Sequence, residues 1–133
     1  MIVVDASVLA HFILPSVHTA DVQAVYERDP VWMAPILWQS EMRSVLRKYL
    51  LAKSLSLEEA LQAARFARQI MNGGTGVVPD QAVLEVCLDT GCSSYDAEYI
   101  TMARSLGTWM VTYDRAMLTS FPDVAVSVGQ FTQ

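Results

Sequence analysis

Apolar positions along the chain fall alternately into short runs and helical stripes. Ile2-Val3-Val4 reads as a short buried strand that ends at Asp5, and a helical stretch follows it, ending by Pro15. Thr19 to Arg28 carries a second helical pattern, closed by Asp29-Pro30, because proline disfavours the helical region for its predecessor. Val31 to Ala34 is predicted as a second strand. From Pro35 a longer helix is predicted to about Lys53, with Leu37, Trp38, Met42, Val45, Leu46, Tyr49 and Leu50 at helical spacing. Ser56-Leu57-Glu58-Glu59 is a capping box, in which the serine hydroxyl serves the amide three residues on and the glutamate reaches back. The helix it opens runs to about Asn72 and stops at Gly73-Gly74.

Val77-Val78 is read as a short strand, and Asp80 as the cap of a helix that Gly91 stops. Tyr95 to Leu106 is the next helix, ended by Gly107. Trp109 to Thr112 is a strand, Asp114 to Ser120 a brief helical turn, and Val124-Ala125-Val126 the last strand. This alternation predicts an α/β fold with a central parallel sheet of about four to five short strands flanked by helices. Strand order stays open. No repeat, low-complexity tract or linker interrupts the pattern, so residues 1–133 read as a single domain.

Composition narrows the class without naming a function. The chain is 53% hydrophobic and 17% charged, as expected of a folded domain and not of a solvated tail. No apolar run approaches the roughly 20 residues that span a bilayer, and no basic leader precedes Ile2, so a cytoplasmic protein without membrane contact is expected. Cys87 and Cys92 match no zinc pattern and read as reduced thiols. The net charge of −5 argues against a broad nucleic-acid-binding surface. It loses force if several acids are metal ligands, since two bound divalent ions would bring −5 to about −1.

The candidate chemistry lies in Asp5, Glu41, Asp96 and Asp114. Asp5 follows the first strand and Asp114 follows a later one by two residues. Ligands of open α/β sheets collect beyond the carboxyl ends of strands, so neighbouring strands would bring both acids to one crevice. Glu41 and Asp96 each fall in the first half of a helix, Glu41 among the apolar residues Leu37, Trp38, Met42 and Val45. An acid beside a buried stripe needs a partner. Oxygen-only ligation suits Mg2+ or Mn2+, which support phosphodiester displacement without a Ser–His–Asp triad, and no triad is found. Taken one at a time, these acids are equally well read as a strand end, helix caps and an ordinary helix acid.

The segments Val3-Val4-Asp5-Ala6-Ser7, Trp38-Gln39-Ser40-Glu41, Ser94-Tyr95-Asp96-Ala97 and Met110-Val111-Thr112-Tyr113-Asp114 resemble, in order, the four acidic motifs of PIN domains, and in particular of VapC-like toxins. The resemblance runs from the first strand to Val126. It implies single-stranded RNA hydrolysis at one or two Mg2+ or Mn2+ ions, with Asp5, Glu41, Asp96 and Asp114 as catalytic metal ligands. Ser7 and Thr112 carry over as groups that orient carboxylates or water. It also implies a homodimer silenced by a small antitoxin protein that presents an Arg or Lys to the acids. Two positions depart from the pattern. Ser44 stands where many relatives have Asn, and Arg115 and Ala116 stand where some carry another acid or amide, which weakens a second metal position.

Arg43 and Arg115 are candidate contacts for RNA phosphates, and Tyr95 and Tyr113 for bases. Tyr99 and Trp109 are assigned to the core, as is the Leu50-to-Ala64 apolar set, which would otherwise face an antitoxin helix or a second subunit. His11 and His18 are given no role. A phospho-acceptor receiver domain fits poorly, because no lysine follows Lys53. A catalytically weak RNA-binding module, or a DNA- or structure-specific nuclease on the same site, remains an alternative.

Overall fold

The computed structural model describes residues 1–133. The chain forms β1 (Ile2–Val4), α1 (Ala6–Ile13), α2 (Thr19–Arg28), β2 (Trp32–Pro35), α3 (Trp38–Leu51) and α4 (Leu57–Ile70). It continues through β3 (Thr75–Gly76), α5 (Asp80–Thr90), α6 (Ser94–Leu106), β4 (Met110–Thr112), α7 (Arg115–Ser120), β5 (Ala125–Ser127) and α8 (Val128–Phe131). Five parallel strands make one sheet in the order β3-β2-β1-β4-β5, and helices flank it as the apolar pattern predicts. The strands β1 and β4 are buried throughout, which is why they read as unbroken apolar runs and not as alternating ones.

From β1 the chain winds outward through β2 and β3, then returns to the other side of β1 for β4 and β5. The switch point therefore lies between β1 and β4, in register Val3 with Met110 and Val4 with Val111. The next residues on each strand, Asp5 and Thr112, emerge together at the carboxyl edge. Trp38 opens α3 and donates its indole N–H to Thr75 Oγ1 at 2.8 Å, tying the start of α3 to β3. Helix α6 packs against β1 and β2, and α1 against α3.

Several boundaries differ from the sequence reading. Residues 77 and 78 form no strand. The edge strand is Thr75–Gly76, which pairs through its backbone with Ala34 and Pro35 and carries no apolar signature. Pro35 ends β2, so α3 starts at Trp38. Asp80 is the first residue of α5 and caps nothing, while the preceding Pro79 supplies no side-chain acceptor. Trp109 precedes β4 and is 45% exposed. The last strand lies one residue later than expected, because Ser127 both ends it and caps the unforeseen α8. The Ser56 capping box and the left-handed Gly91 and Gly107 stops are present as predicted.

Candidate active site

Four helix N-termini converge at the carboxyl edge of the sheet, and each carries one of the acids. Asp5 caps α1, its Oδ1 accepting the Val8 amide at 3.0 Å. Asp114 caps α7, its Oδ1 accepting the Met117 amide at 3.1 Å. Glu41 and Asp96 sit in the first turns of α3 and α6. Asp96 is not a cap, since Ser93 holds that position and accepts the Asp96 amide at 3.1 Å. Unsatisfied amides and the positive end of the helix dipole favour carboxylates at such places. Capping and lining a site are thus compatible for Asp5 and Asp114.

All four acids line one cavity of about 350 Å³, together with Ser7, Tyr99 and Tyr113. No Lys or Arg is among its lining residues, and none of the protein's ion pairs involves these acids. Burial is the main influence on three of them. It raises the Asp5 carboxyl above the usual range, against opposing hydrogen bonds from Thr112, Val8 and Ser7. Burial also raises Glu41, opposed by Tyr99 and reinforced by the charges of Asp5, Asp96 and Glu98. Asp96 is raised by burial and then by Asp114. Carboxylates that repel in this way require protons or a cation.

Hydroxyl groups fix two of the acids. Thr112, fully buried, donates to Asp5 Oδ2 and accepts the Asp114 amide at 3.0 Å, so one hydroxyl links the two acids that follow β1 and β4. Tyr99 donates to Glu41 Oε1 at 2.6 Å. Burial, with Glu41 beside it, holds the Tyr99 phenol well above its ordinary pKa, so it stays a donor at any working pH. No three His, Cys, Asp or Glu side chains stand close enough to form a ready-made metal cage. The carboxylates share the cavity without closing on one point. An all-oxygen, cation-free donor set of this kind fits a hard divalent ion such as Mg2+ or Mn2+.

The other candidates are placed differently. Ser7 lines the cavity and offers Asp5 a hydrogen bond. Tyr113 lines it as well, with His11 at 5.4 Å and His18 at 4.8 Å between ring centroids. Burial and the neighbouring His18 lower the His11 pKa. Tyr95 is 65% exposed and lies outside the cavity, and Arg115 is exposed at the start of α7. Arg43 lines a groove between α3 and α4 and is not among the residues lining the acid cavity. The sequence reading missed Tyr99 and the imidazole pair. The one signal for Tyr99 was a tyrosine, not a phenylalanine, one turn beyond Asp96 on a buried stripe; the imidazole contacts leave no trace in sequence.

No helix is long and apolar enough to cross a membrane. No curated protein matches the chain. Among solved structures, the chain is similar to PAE2754 from Pyrobaculum aerophilum at 24% identity, over 98% of this chain and 92% of that one, with a TM-score of 0.70. That likeness concerns the fold. Residues 2–125, which include all four acids, match the PIN domain family, and the chain belongs to that family.

Proposed function

We propose that this chain is an endoribonuclease that uses Mg2+ or Mn2+ to cleave single-stranded RNA in the cytoplasm, and that it is the toxin half of a toxin–antitoxin pair. PIN domains are in general nucleases that depend on divalent metal ions. The observation that carries the reading is the gathering of Asp5, Glu41, Asp96 and Asp114 around one cavity that no basic side chain lines. These four would hold the metal, and a divalent ion there supplies Lewis acidity toward water and the phosphodiester. Thr112 holds the Asp5 carboxylate in place, with Ser7 beside it. Tyr113 would offer an aromatic wall to a base, while Arg115 and Tyr95, exposed outside the cavity, would meet flanking nucleotides. The choice of RNA follows the resemblance to small toxins, because the acids act on a linkage that RNA and DNA share.

The α3–α4 groove supports a protein partner. It holds about 520 Å³, has Leu46, Leu50, Leu57 and Leu61 among its lining residues, and is bordered by Arg43, Arg47, Arg65 and Arg68. Leu51, Leu57 and Leu61 are 66%, 65% and 45% exposed, so these three are not buried within the monomer as the sequence suggested, while Leu50, Leu55 and Ala64 pack partly against the core. An antitoxin segment bearing apolar and acidic residues would cover it. The exposed Leu84 and Leu88 on α5 offer a face for a homodimer.

Purified protein free of any antitoxin is expected to cut single-stranded RNA in Mg2+ or Mn2+ and to stop when EDTA is added. Asp5→Asn is expected to fold and to lose cleavage; undiminished cutting by that variant overturns the site. The loose spacing of the acids favours one second reading, an RNA-binding module with little activity. Retention of RNA without cleavage in either metal would establish it.

A further inference from the structure

We infer that Tyr99 is a positioning residue of the acid cavity, holding Glu41 by one carboxylate oxygen so that the other is kept for the cation. The inference rests on the nuclease reading above. Glu41 has the longest side chain of the four acids and is the only one without a backbone amide or serine hydroxyl holding it. Asp5 is fixed by Thr112 and the Val8 amide, and Asp114 by the Met117 amide, while Ser93 stands beside Asp96. The charges of Asp5, Asp96 and Glu98 all bear on Glu41, which is half-buried and would otherwise be free to swing toward solvent.

Tyr99 opposes that movement. It lies on α6 one turn beyond Asp96, so both face the cavity from the same side of the helix. Its ring is 2% exposed and therefore rigid. Its hydroxyl donates to Glu41 Oε1 at 2.6 Å, across 58 positions of sequence, and Oε2 accepts no hydrogen bond from the protein. The Ala6 amide, next to Asp5, faces the same phenol oxygen. One hydroxyl thereby ties the start of α3 to the first turns of α6, beside the start of α1. A phenylalanine would fill the same volume, so the hydroxyl is what the site uses.

The test is Mn2+ binding to metal-free protein, followed by electron paramagnetic resonance, for wild type, Tyr99→Phe and Thr101→Val. Thr101 carries a buried α6 hydroxyl with no hydrogen-bond partner and lies outside the acid cavity, so its loss controls for general effects on the helix. Tyr99→Phe is expected to weaken Mn2+ binding about 10- to 100-fold, the range seen when a group orienting a metal ligand is removed. Thr101→Val is expected to bind as wild type does. Unchanged binding by Tyr99→Phe, or equal losses in both variants, overturns the assignment while leaving the nuclease reading intact. Wild-type protein that takes up no Mn2+ overturns both.

Discussion

Replacing Thr112 tests whether the two acids at the switch point are held by one hydroxyl. Thr112→Val keeps the shape of a fully buried side chain and removes only its oxygen. The variant loses a hydrogen bond to the Asp5 carboxylate, a charge-assisted interaction of about 1.5–3 kcal/mol. It also loses the acceptor of the Asp114 amide, for which water substitutes in part because Asp114 is exposed. The added buried methyl offsets roughly 1 kcal/mol. The net expectation is a loss of about 1–3 kcal/mol at neutral pH, read by urea unfolding in EDTA as a lower midpoint with an unchanged slope. The bond favours ionised Asp5, so the difference from wild type shrinks as pH falls through the raised pKa of that group. Thr112→Ser provides the contrast: it loses about 1 kcal/mol of methyl packing but keeps the hydroxyl, and so keeps RNA cleavage. Thr112→Val as stable and as active as Thr112→Ser would refute the reasoning.

The raised carboxyls of Asp5, Glu41 and Asp96 have a collective consequence. An acid whose folded pKa lies above its unfolded value stabilises the fold at low pH and loses that contribution as pH rises through the folded pKa. Metal-free protein should therefore lose melting temperature as pH rises through these raised carboxyl pKa values, and Mg2+ should raise the melting temperature more at the higher pH; a flat or opposite profile counts against the cluster. Glu41→Gln relieves the same repulsion and leaves an oxygen for Tyr99. It should raise the metal-free melting temperature by a few degrees, about 1 kcal/mol, while reducing RNA cleavage by more than roughly 100-fold. Gly74→Ala should cost about 2–4 kcal/mol in urea unfolding, because its Cβ would stand 1.9 Å from the Trp32 carbonyl oxygen of β2.

What could be read from the sequence follows from how local each signal is. The α2 limits, the Ser56 capping box and the Gly91 and Gly107 stops are written in neighbouring residues, and the structure reproduces them, whereas α4 ends at Ile70, before the expected Gly73-Gly74 stop. Thr75–Gly76 could not be seen, because a two-residue edge strand is specified by the backbone groups of its neighbour. Asp5 and Asp114 were marked by their place after apolar strands, but their meeting depended on β1 and β4 being neighbours, which the pattern left open. Tyr99 escaped because a tyrosine on a buried stripe reads as packing until the Glu41 carboxylate is placed against its hydroxyl. The exposure of Leu57 and Leu61 escaped for the converse reason: periodicity marks an apolar face without saying whether this chain or another covers it.

The central claim is that the cavity between β1 and β4 is one divalent-cation site. Its most direct test is an anomalous difference map from crystals of the protein soaked in saturating Mn2+. The account predicts a strong peak within ligand distance of carboxylate oxygens from Asp5 and at least one of Glu41, Asp96 and Asp114. A map with no peak there, or with its strongest peak elsewhere, would contradict it.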